Sequence, residues 1–220
     1  MKLDFHSHIL PGIDDGARNI EESVMLTKAL KSWGFERVTC TPHITSAHPN
    51  TPARIRQAFD VLSEVLSEDG CSVELRMSAE YRLVPETWPE VLEKNWLMPI
   101  EDKFILMELP ISRPEEMGYI KPVQEFERII AMGLTPLLPH PERYFYLEED
   151  DLLRYIDAGV EIQSNYGSFA GLYGEEVRKR VESLHKRGLI THFGTDLHNT
   201  HYVEVLSHWF HSGHDIVESI

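Results

Sequence analysis

Short runs rich in β-branched and aromatic residues alternate along this chain with longer stretches in which apolar positions recur every three or four residues. The first such run is Lys2 to His6. Asn19 and Glu22 then form a helix-capping pair, Leu26, Ala29, Leu30 and Trp33 follow at helical spacing, and Gly34 is placed to end the helix. Arg37 to Thr41 reads as the next strand. Thr51 and Pro52 supply an N-cap and a proline at the first helical position, Ile55, Phe59, Leu62 and Leu66 form a stripe, and Gly70 stops it. The strand Ser72 to Met77 and a short helical piece from Glu86 to Lys94 come next. The apolar run Phe104 to Leu109 is too short for a free helix and reads as a buried strand. The remaining units are helix Pro122 to Met132, strand Leu134 to Leu138, helix Glu149 to Ala158, strand Val160 to Ser164, helix Glu175 to Arg187 and strand Leu189 to Gly194.

This order amounts to about seven strand–helix repeats, the pattern of parallel strands joined by crossover helices. Gly34, Gly70, Gly133, Gly159 and Gly188 each close a helix just before a strand, as expected of a β/α barrel and also of an open doubly wound sheet. The barrel is the expected architecture, with one domain over residues 1–220. Hydrophobic content of 42% and aromatic content of 10% suffice for a packed interior, and no apolar run is long enough to span a bilayer. The segment from Met1 lacks the features of a signal peptide, so a soluble cytoplasmic protein is expected. Cys40 and Cys71 are too few for a disulfide framework and are expected to be buried free thiols. A formal charge of −15 argues against a nucleic-acid partner, because such binding rests on neutralising phosphates with Lys and Arg.

The metal-capable residues fall just past the C-terminal ends of the expected strands. His6 and His8 leave the first, His43 the second, Glu80 the third and Glu108 the fourth; His140 follows Leu138, and Asp196 and His198 follow the last. In parallel α/β folds these ends converge on one mouth, so residues distant in sequence meet there. Each residue alone has an ordinary reading, as a hydrogen-bonded core histidine or a surface carboxylate. Their joint placement does not. Imidazole and carboxylate without thiolate suit Mn, Fe, Co or Zn, and Glu80 or Asp196 has the oxygens to bridge two cations. Paired ions of that kind serve phosphoester hydrolysis.

The segments HSHILPGIDDG at His6 to Gly16, TPH at Thr41 to His43, AE at Ala79 and Glu80, MELP at Met107 to Pro110, HPERY at His140 to Tyr144 and GTDLHN at Gly194 to Asn199 resemble, in order, the bacterial tyrosine phosphatases of the PHP family encoded in capsule and exopolysaccharide loci. The resemblance implies a distorted seven-stranded (β/α) barrel of the PHP type holding three divalent metal ions, with manganese expected first and iron, cobalt or zinc as alternatives. It assigns His6, His8, Glu80 and Asp196 to the first ion, and Glu80, Glu108 and His140 to the second. His43, His198 and an acidic residue of the Asp14–Asp15 pair, with Asp15 favoured, hold the third. Arg143 corresponds to a phosphate-binding arginine, whose guanidinium fork fits phosphoryl oxygens. Arg143, Asp196 and His198 are thus the expected catalytic residues. The implied reaction is hydrolysis of phosphotyrosine, and the implied partner is the phosphotyrosyl tail of a bacterial tyrosine kinase that governs polysaccharide assembly.

The sequence departs from that pattern in one place. Family members commonly carry a second arginine shortly after TDxHN, whereas Thr200, His201, Tyr202, Val203 and Glu204 stand here. His201 either supplies a replacement donor or is a solvent-facing loop histidine. Two rival functions share the same metal core: a phosphatase for a small phosphomonoester metabolite, and a metal-binding regulator that holds the kinase without turnover. Neither cysteine opens a C-x5-R phosphate loop, which excludes a cysteine nucleophile. His208, His211 and His214 read as an ordinary amphipathic helix face, and Trp33, Trp88, Trp96 and Trp209 as packing aromatics, with Trp88 or Trp96 a candidate for substrate contact.

Overall fold

A computed structural model describes residues 2–213. Its strands are β1 (Lys2–Ser7), β2 (Phe35–Cys40), β3 (His43–Ile44), β4 (Glu74–Met77), β5 (Glu80–Arg82), β6 (Phe104–Glu108), β7 (Thr135–Pro139), β8 (Glu161–Asn165) and β9 (His192–Gly194). The helices are α1 (Ile20–Ser32), α2 (Pro52–Glu68), α3 (Trp88–Glu93), α4 (Pro122–Ala131), α5 (Glu149–Asp157), α6 (Tyr166–Phe169), α7 (Glu175–Lys186) and α8 (Thr200–His211), with single 3₁₀ turns at Pro114–Met117 and Pro141–Arg143. No helix among the described residues is long and apolar enough to cross a membrane.

The chain is α/β with parallel pairing between the named strands, as expected, but the strands do not form a closed seven-stranded barrel. They make a three-stranded sheet in the order β1-β2-β4 and a six-stranded sheet in the order β3-β5-β6-β7-β8-β9. Two of the expected strands are each followed, after a two-residue break, by a further short strand. The Thr41–Pro42 step separates β2 from β3, and Ser78–Ala79 separates β4 from β5. Pro42 has no N–H to offer a ladder, which accounts for the first break. Single backbone bonds cross the gaps, from Ser78 N–H to the Cys40 carbonyl at 2.9 Å and from Glu80 N–H to the Pro42 carbonyl at 3.1 Å. At the other seam β1 lies beside β9, where His8 N–H donates to the Leu197 carbonyl at 3.0 Å and Asp196 N–H to the His6 carbonyl at 2.8 Å.

The helices form where caps and stripes predict. Asn19 accepts the Glu22 N–H at 2.9 Å, and Thr51 accepts the Arg54 N–H at 3.3 Å ahead of Pro52. Glu22 does not complete a reciprocal capping box, because its carboxylate turns to Arg18 at 2.8 Å. Leu26 and Leu30 of α1, and Ile55, Leu62 and Leu66 of α2, are buried in the main hydrophobic core. All five residues of β6 are buried, which is why the run reads as uniformly apolar up to Glu108. The C-terminal helix is present as α8, with His208 and His211 exposed on it, while His214 lies outside the described residues. Cys40 is buried and Cys71 is half-buried, both as free thiols.

Close approach at the seam leaves no room for side chains. A Cβ on Gly194 would stand 2.6 Å from the His6 Cβ and 2.9 Å from Gln163 Nε2. Gly194→Ala therefore overpacks the contact between β1, β8 and β9. We expect it to cost about 1–3 kcal/mol, lowering Tm by about 2–4 °C per kcal/mol. Calorimetry checks this, and an unchanged Tm would show that the seam is looser than described.

Candidate metal centre

The strand ends bring the nine candidate ligands together, and seven of them line one polar cavity of about 330 Å³, while His6 and His8 are fully buried. His6 and His8 sit at the end of β1, and Asp14 and Asp15 in the turn beyond it. His43 and Glu80 lie past the ends of β2 and β4 as expected, but not in loops. Each opens one of the short strands β3 and β5 that continue after the breaks, where they pair in register. Glu108 ends β6, His140 follows β7, and Asp196 and His198 follow β9. His140 and Asp196 both hold left-handed backbone, with φ of 37° and 51°. Such angles cost a non-glycine residue about 1–3 kcal/mol and persist where surrounding contacts dictate them.

The Nε2 atoms of His6 and His8 face each other, and one oxygen each of Glu80 and Asp196 lies near both. His6 Nε2 lies 3.0 Å from His8 Nε2, 3.2 Å from Glu80 Oε2 and 3.4 Å from Asp196 Oδ1. His8 Nε2 lies 3.3 Å and 3.5 Å from the same two oxygens. The outer nitrogens are already committed, since His6 Nδ1 faces Gln163 Oε1 at 2.9 Å and His8 Nδ1 faces Asp14 Oδ2 at 2.8 Å. Those acceptors place each ring's proton on Nδ1. Two Nε2 lone pairs and two carboxylate oxygens then converge with no donor among them, an arrangement that fits a cation.

The other ligands extend this cluster. Glu80 Oε1 faces His140 Nε2 at 3.3 Å, while its Oε2 also faces His43 Nδ1 at 3.1 Å. Glu80 thus reaches two sides of the site with two oxygens. Asp196 is less free to bridge, because its Oδ2 accepts from Asn165 at 2.7 Å and from Arg143 and Tyr173 at 3.3 Å each. Glu108 groups with Glu80 and His43, and His140 with Glu80 and His6, rather than Glu80, Glu108 and His140 standing together. His8, Asp15, His43 and His198 form a further group. Asp15 Oδ1 stands 3.6 Å from both His43 Nε2 and His198 Nε2, whereas buried Asp14 is held by His8, by the Gly16 N–H and by the His43 N–H.

Electrostatics reflect the same crowding. Burial alone would depress the His6 imidazolium, but Glu80 and Asp196 outweigh it and raise its pKa to about 9. His8 is raised well above the usual histidine range against the same burial, mainly by Asp14. Burial pushes Glu108 up to about 8, reinforced by the Glu80 charge and opposed by Arg82 and Arg143. His43 is pushed down to about 4 by burial. Glu108 Oε2, His43 Nδ1 and His140 Nδ1 are buried without a hydrogen-bond partner. Orphaned polar atoms are rare in folded interiors, and at this mouth they add to the fit for cations.

Arg143 lines the cavity, with its guanidinium over the Tyr173 ring at 4.4 Å, and does not pair with Glu142. Glu142 is instead buried, accepting from Ser164 Oγ, the Asn165 N–H and Ser168 Oγ at 2.9, 3.0 and 2.6 Å. Neither Trp88 nor Trp96 lines this cavity. Trp88 is buried against Tyr81 with its indole N–H on Glu125 at 2.9 Å. His201 is exposed, but on the first turn of α8 and not in a loop. The site residues missed by sequence are Arg82, Gln163, Asn165, Tyr173 and Tyr202. Gln163 and Asn165 had a signal, as polar residues at alternate positions of the buried strand β8.

Parallel strands that carry an imidazole–carboxylate cluster and a guanidinium to one mouth define an α/β protein with a candidate multi-metal hydrolytic centre. The family model for capsular polysaccharide synthesis, CpsB/CapC, matches residues 2–204, and the chain belongs to that family. The tyrosine-protein phosphatase YwqE of Bacillus subtilis is 28% identical over 200 residues, covering 90% of this chain and 77% of YwqE. The tyrosine-protein phosphatase CpsB of Streptococcus pneumoniae is 27% identical over 206 residues, covering 90% of this chain and 83% of CpsB. A crystal structure from work on YwqE and CpsB as metal-dependent tyrosine phosphatases superposes with a TM-score of 0.80, at 28% identity, over 97% of this chain and 89% of that one.

The outer hydrogen bonds on His6 and His8 yield a prediction. Asp14→Ala and Gln163→Ala remove partners that orient ligands without being ligands themselves. Each is expected to weaken metal affinity by about 10–100-fold, read by competition with a chromophoric chelator. Wild-type affinity in both variants would dissociate these residues from the centre.

Proposed function

We propose that this chain is a metal-dependent phosphatase that hydrolyses phosphotyrosine in a protein substrate. The carrying observation is the facing Nε2 atoms of His6 and His8, each within 3.5 Å of an oxygen of Glu80 and of Asp196, beside the cavity that Arg143 lines. Manganese is the ion we expect first. His6, His8, Glu80 and Asp196 would hold one ion, Glu80 with Glu108 and His140 a second, and Asp15, His43 and His198 a third. Bound ions supply an activated water and stabilise charge on the phosphoryl oxygens.

The chain's own residues do the rest. Arg143 presents a planar fork to the phosphoryl oxygens, kept cationic by Tyr173 and Asp196 despite burial. Glu80 sets the spacing between neighbouring sites, since its two oxygens face different histidines. Asp14 fixes His8. Counting β2 with β3 and β4 with β5 as two interrupted strands, we read the sheets as a distorted seven-membered PHP-type ring whose seam is β1 beside β9. The proposed partner is the phosphotyrosyl tail of a bacterial tyrosine kinase in polysaccharide assembly, in accord with the family to which the chain belongs. A cytoplasmic setting and a single domain follow as parts of this reading.

The test is a metal-supplemented assay on phosphotyrosyl peptides beside small phosphomonoesters. Glu80→Ala is expected to lose at least about a hundredfold in kcat, because the metal contribution it supports is several kcal/mol. Cys40→Ser and Cys71→Ser should keep wild-type turnover, since burial pushes the Cys40 thiol far up and away from nucleophilic use. Loss of activity in a folded cysteine variant would contradict the reading.

Arg143→Lys keeps the charge but loses the fork, and should lower kcat/KM by about tenfold or more. Full activity in a metallated Arg143→Lys protein would remove Arg143 from phosphate binding.

A further inference from the structure

The strand β5 reads Glu80, Tyr81, Arg82, and successive side chains of a strand point to opposite faces. Tyr81 turns outward into the core, where its hydroxyl donates to the Trp96 carbonyl at 2.8 Å. Arg82 therefore shares the face of Glu80, and it lines the same cavity as Arg143. In the parallel pairing of β5 with β6 it stands in register beside Glu108. Because β6 lies between β5 and β7, Arg82 and Arg143 flank Glu108 from its two sides.

Arg82 is not consumed by the contacts it has. Its Nη2 donates to Glu116 Oε2 at 3.2 Å, on the turn Pro114–Met117 beyond β6. Its Nε is buried without a hydrogen-bond partner and stands 3.9 Å from Glu108 Oε2, beyond hydrogen-bond reach. Glu116 takes the Nη2 donor and leaves the Nε–H unused. A phosphoryl group carries three non-bridging oxygens, more than one arginine fork satisfies.

We propose that Arg82 is a second substrate-binding guanidinium, donating through its Nε edge to a phosphoryl oxygen from the β5 side of the cavity while Arg143 donates from the β7 side. This assignment rests on the phosphatase reading above. It also answers the absence of an arginine among Thr200 to Glu204, since the second fork comes from β5 instead of α8. The competing role is indirect, with Arg82 merely steadying Glu108 or the turn that bears Glu116.

The experiment titrates inorganic phosphate into manganese-loaded protein by calorimetry, with metal content measured for every sample. Arg82→Ala is expected to weaken phosphate binding about tenfold with metal content unchanged. In steady state it should raise KM for a phosphotyrosyl peptide more than it lowers kcat. Arg82→Lys, which retains charge and volume if the alanine variant folds poorly, should recover only part of the affinity. Glu116→Gln should stay within about twofold of wild type. Unchanged phosphate affinity in the Arg82 variants would overturn the proposal, as would loss of phosphate and metal together, or a Glu116→Gln variant as weak as Arg82→Ala. Wild-type protein that binds no phosphate would also overturn it. A protein that binds phosphate through Arg82 but hydrolyses no phosphotyrosine would overturn the phosphatase reading alone.

Discussion

The Nε2 atoms of His6 and His8 face each other across 3.0 Å, with Glu80 and Asp196 oxygens within 3.5 Å of both. All four side chains are buried. Taking a carboxylate out of water costs several kcal/mol unless a counter-charge meets it, so the cluster is stable only around positive charge. Protons are the default supply, which is why His6 and His8 are drawn upward in pKa against the burial that would lower them. A divalent cation meets the same demand with coordination bonds. The protein's excess of acid, −15 overall, thus has part of its explanation inside the mouth and not only on the surface.

That constraint propagates through a closed ring of side chains. His6 bonds Gln163, Gln163 bonds Asn165, Asn165 bonds Asp196, and Asp196 faces His6 again. The ring ties β1 to β8 and to the segment after β9, which are the elements at the open seam between the two sheets. Asp4 reinforces the seam from below, accepting from the Thr195 N–H at 2.8 Å and the Thr195 hydroxyl at 2.6 Å. Glu142 fastens the start of α6 to the turn that carries Arg143. The left-handed backbone at His140 and Asp196 is affordable because these contacts over-determine both positions.

Much of this was legible in the sequence, for identifiable reasons. Helix caps at Asn19 and Thr51 and glycines before strands are local signals, and they located most elements. The strand-end placement of the histidines and carboxylates was legible because parallel topology makes sequence order and spatial convergence the same fact. The breaks inside β2–β3 and β4–β5 were not, since two-residue and three-residue strands have no periodicity of their own. Without the breaks, His43 and Glu80 read as residues past strand ends, although they begin new ones. Arg82 was hidden by the same error, because alternation from Glu80 only counts once β5 exists. Tyr173 and Tyr202 come from a loop and a helix turn, where no spacing rule relates them to Asp196.

Substrate choice is decided by what borders the centre, because the metal core alone would serve any phosphomonoester. Arg143 and Ile111 line both the metal cavity and a neighbouring groove, which continues over Ser112, Phe145, Tyr146, Tyr173 and Val177. Phe145 is 52% exposed there, although exposure of a phenyl ring forgoes the burial that normally stabilises it. A sugar or amino-alcohol phosphate offers that ring only the C–H groups of its small carbon skeleton. A phosphotyrosyl segment does, with its own aromatic ring beside the phosphate and neighbouring side chains extending along the groove. On the proposed phosphatase reading, the polar cavity would serve hydrolysis, and the apolar groove that shares Arg143 favours a polypeptide over a small metabolite.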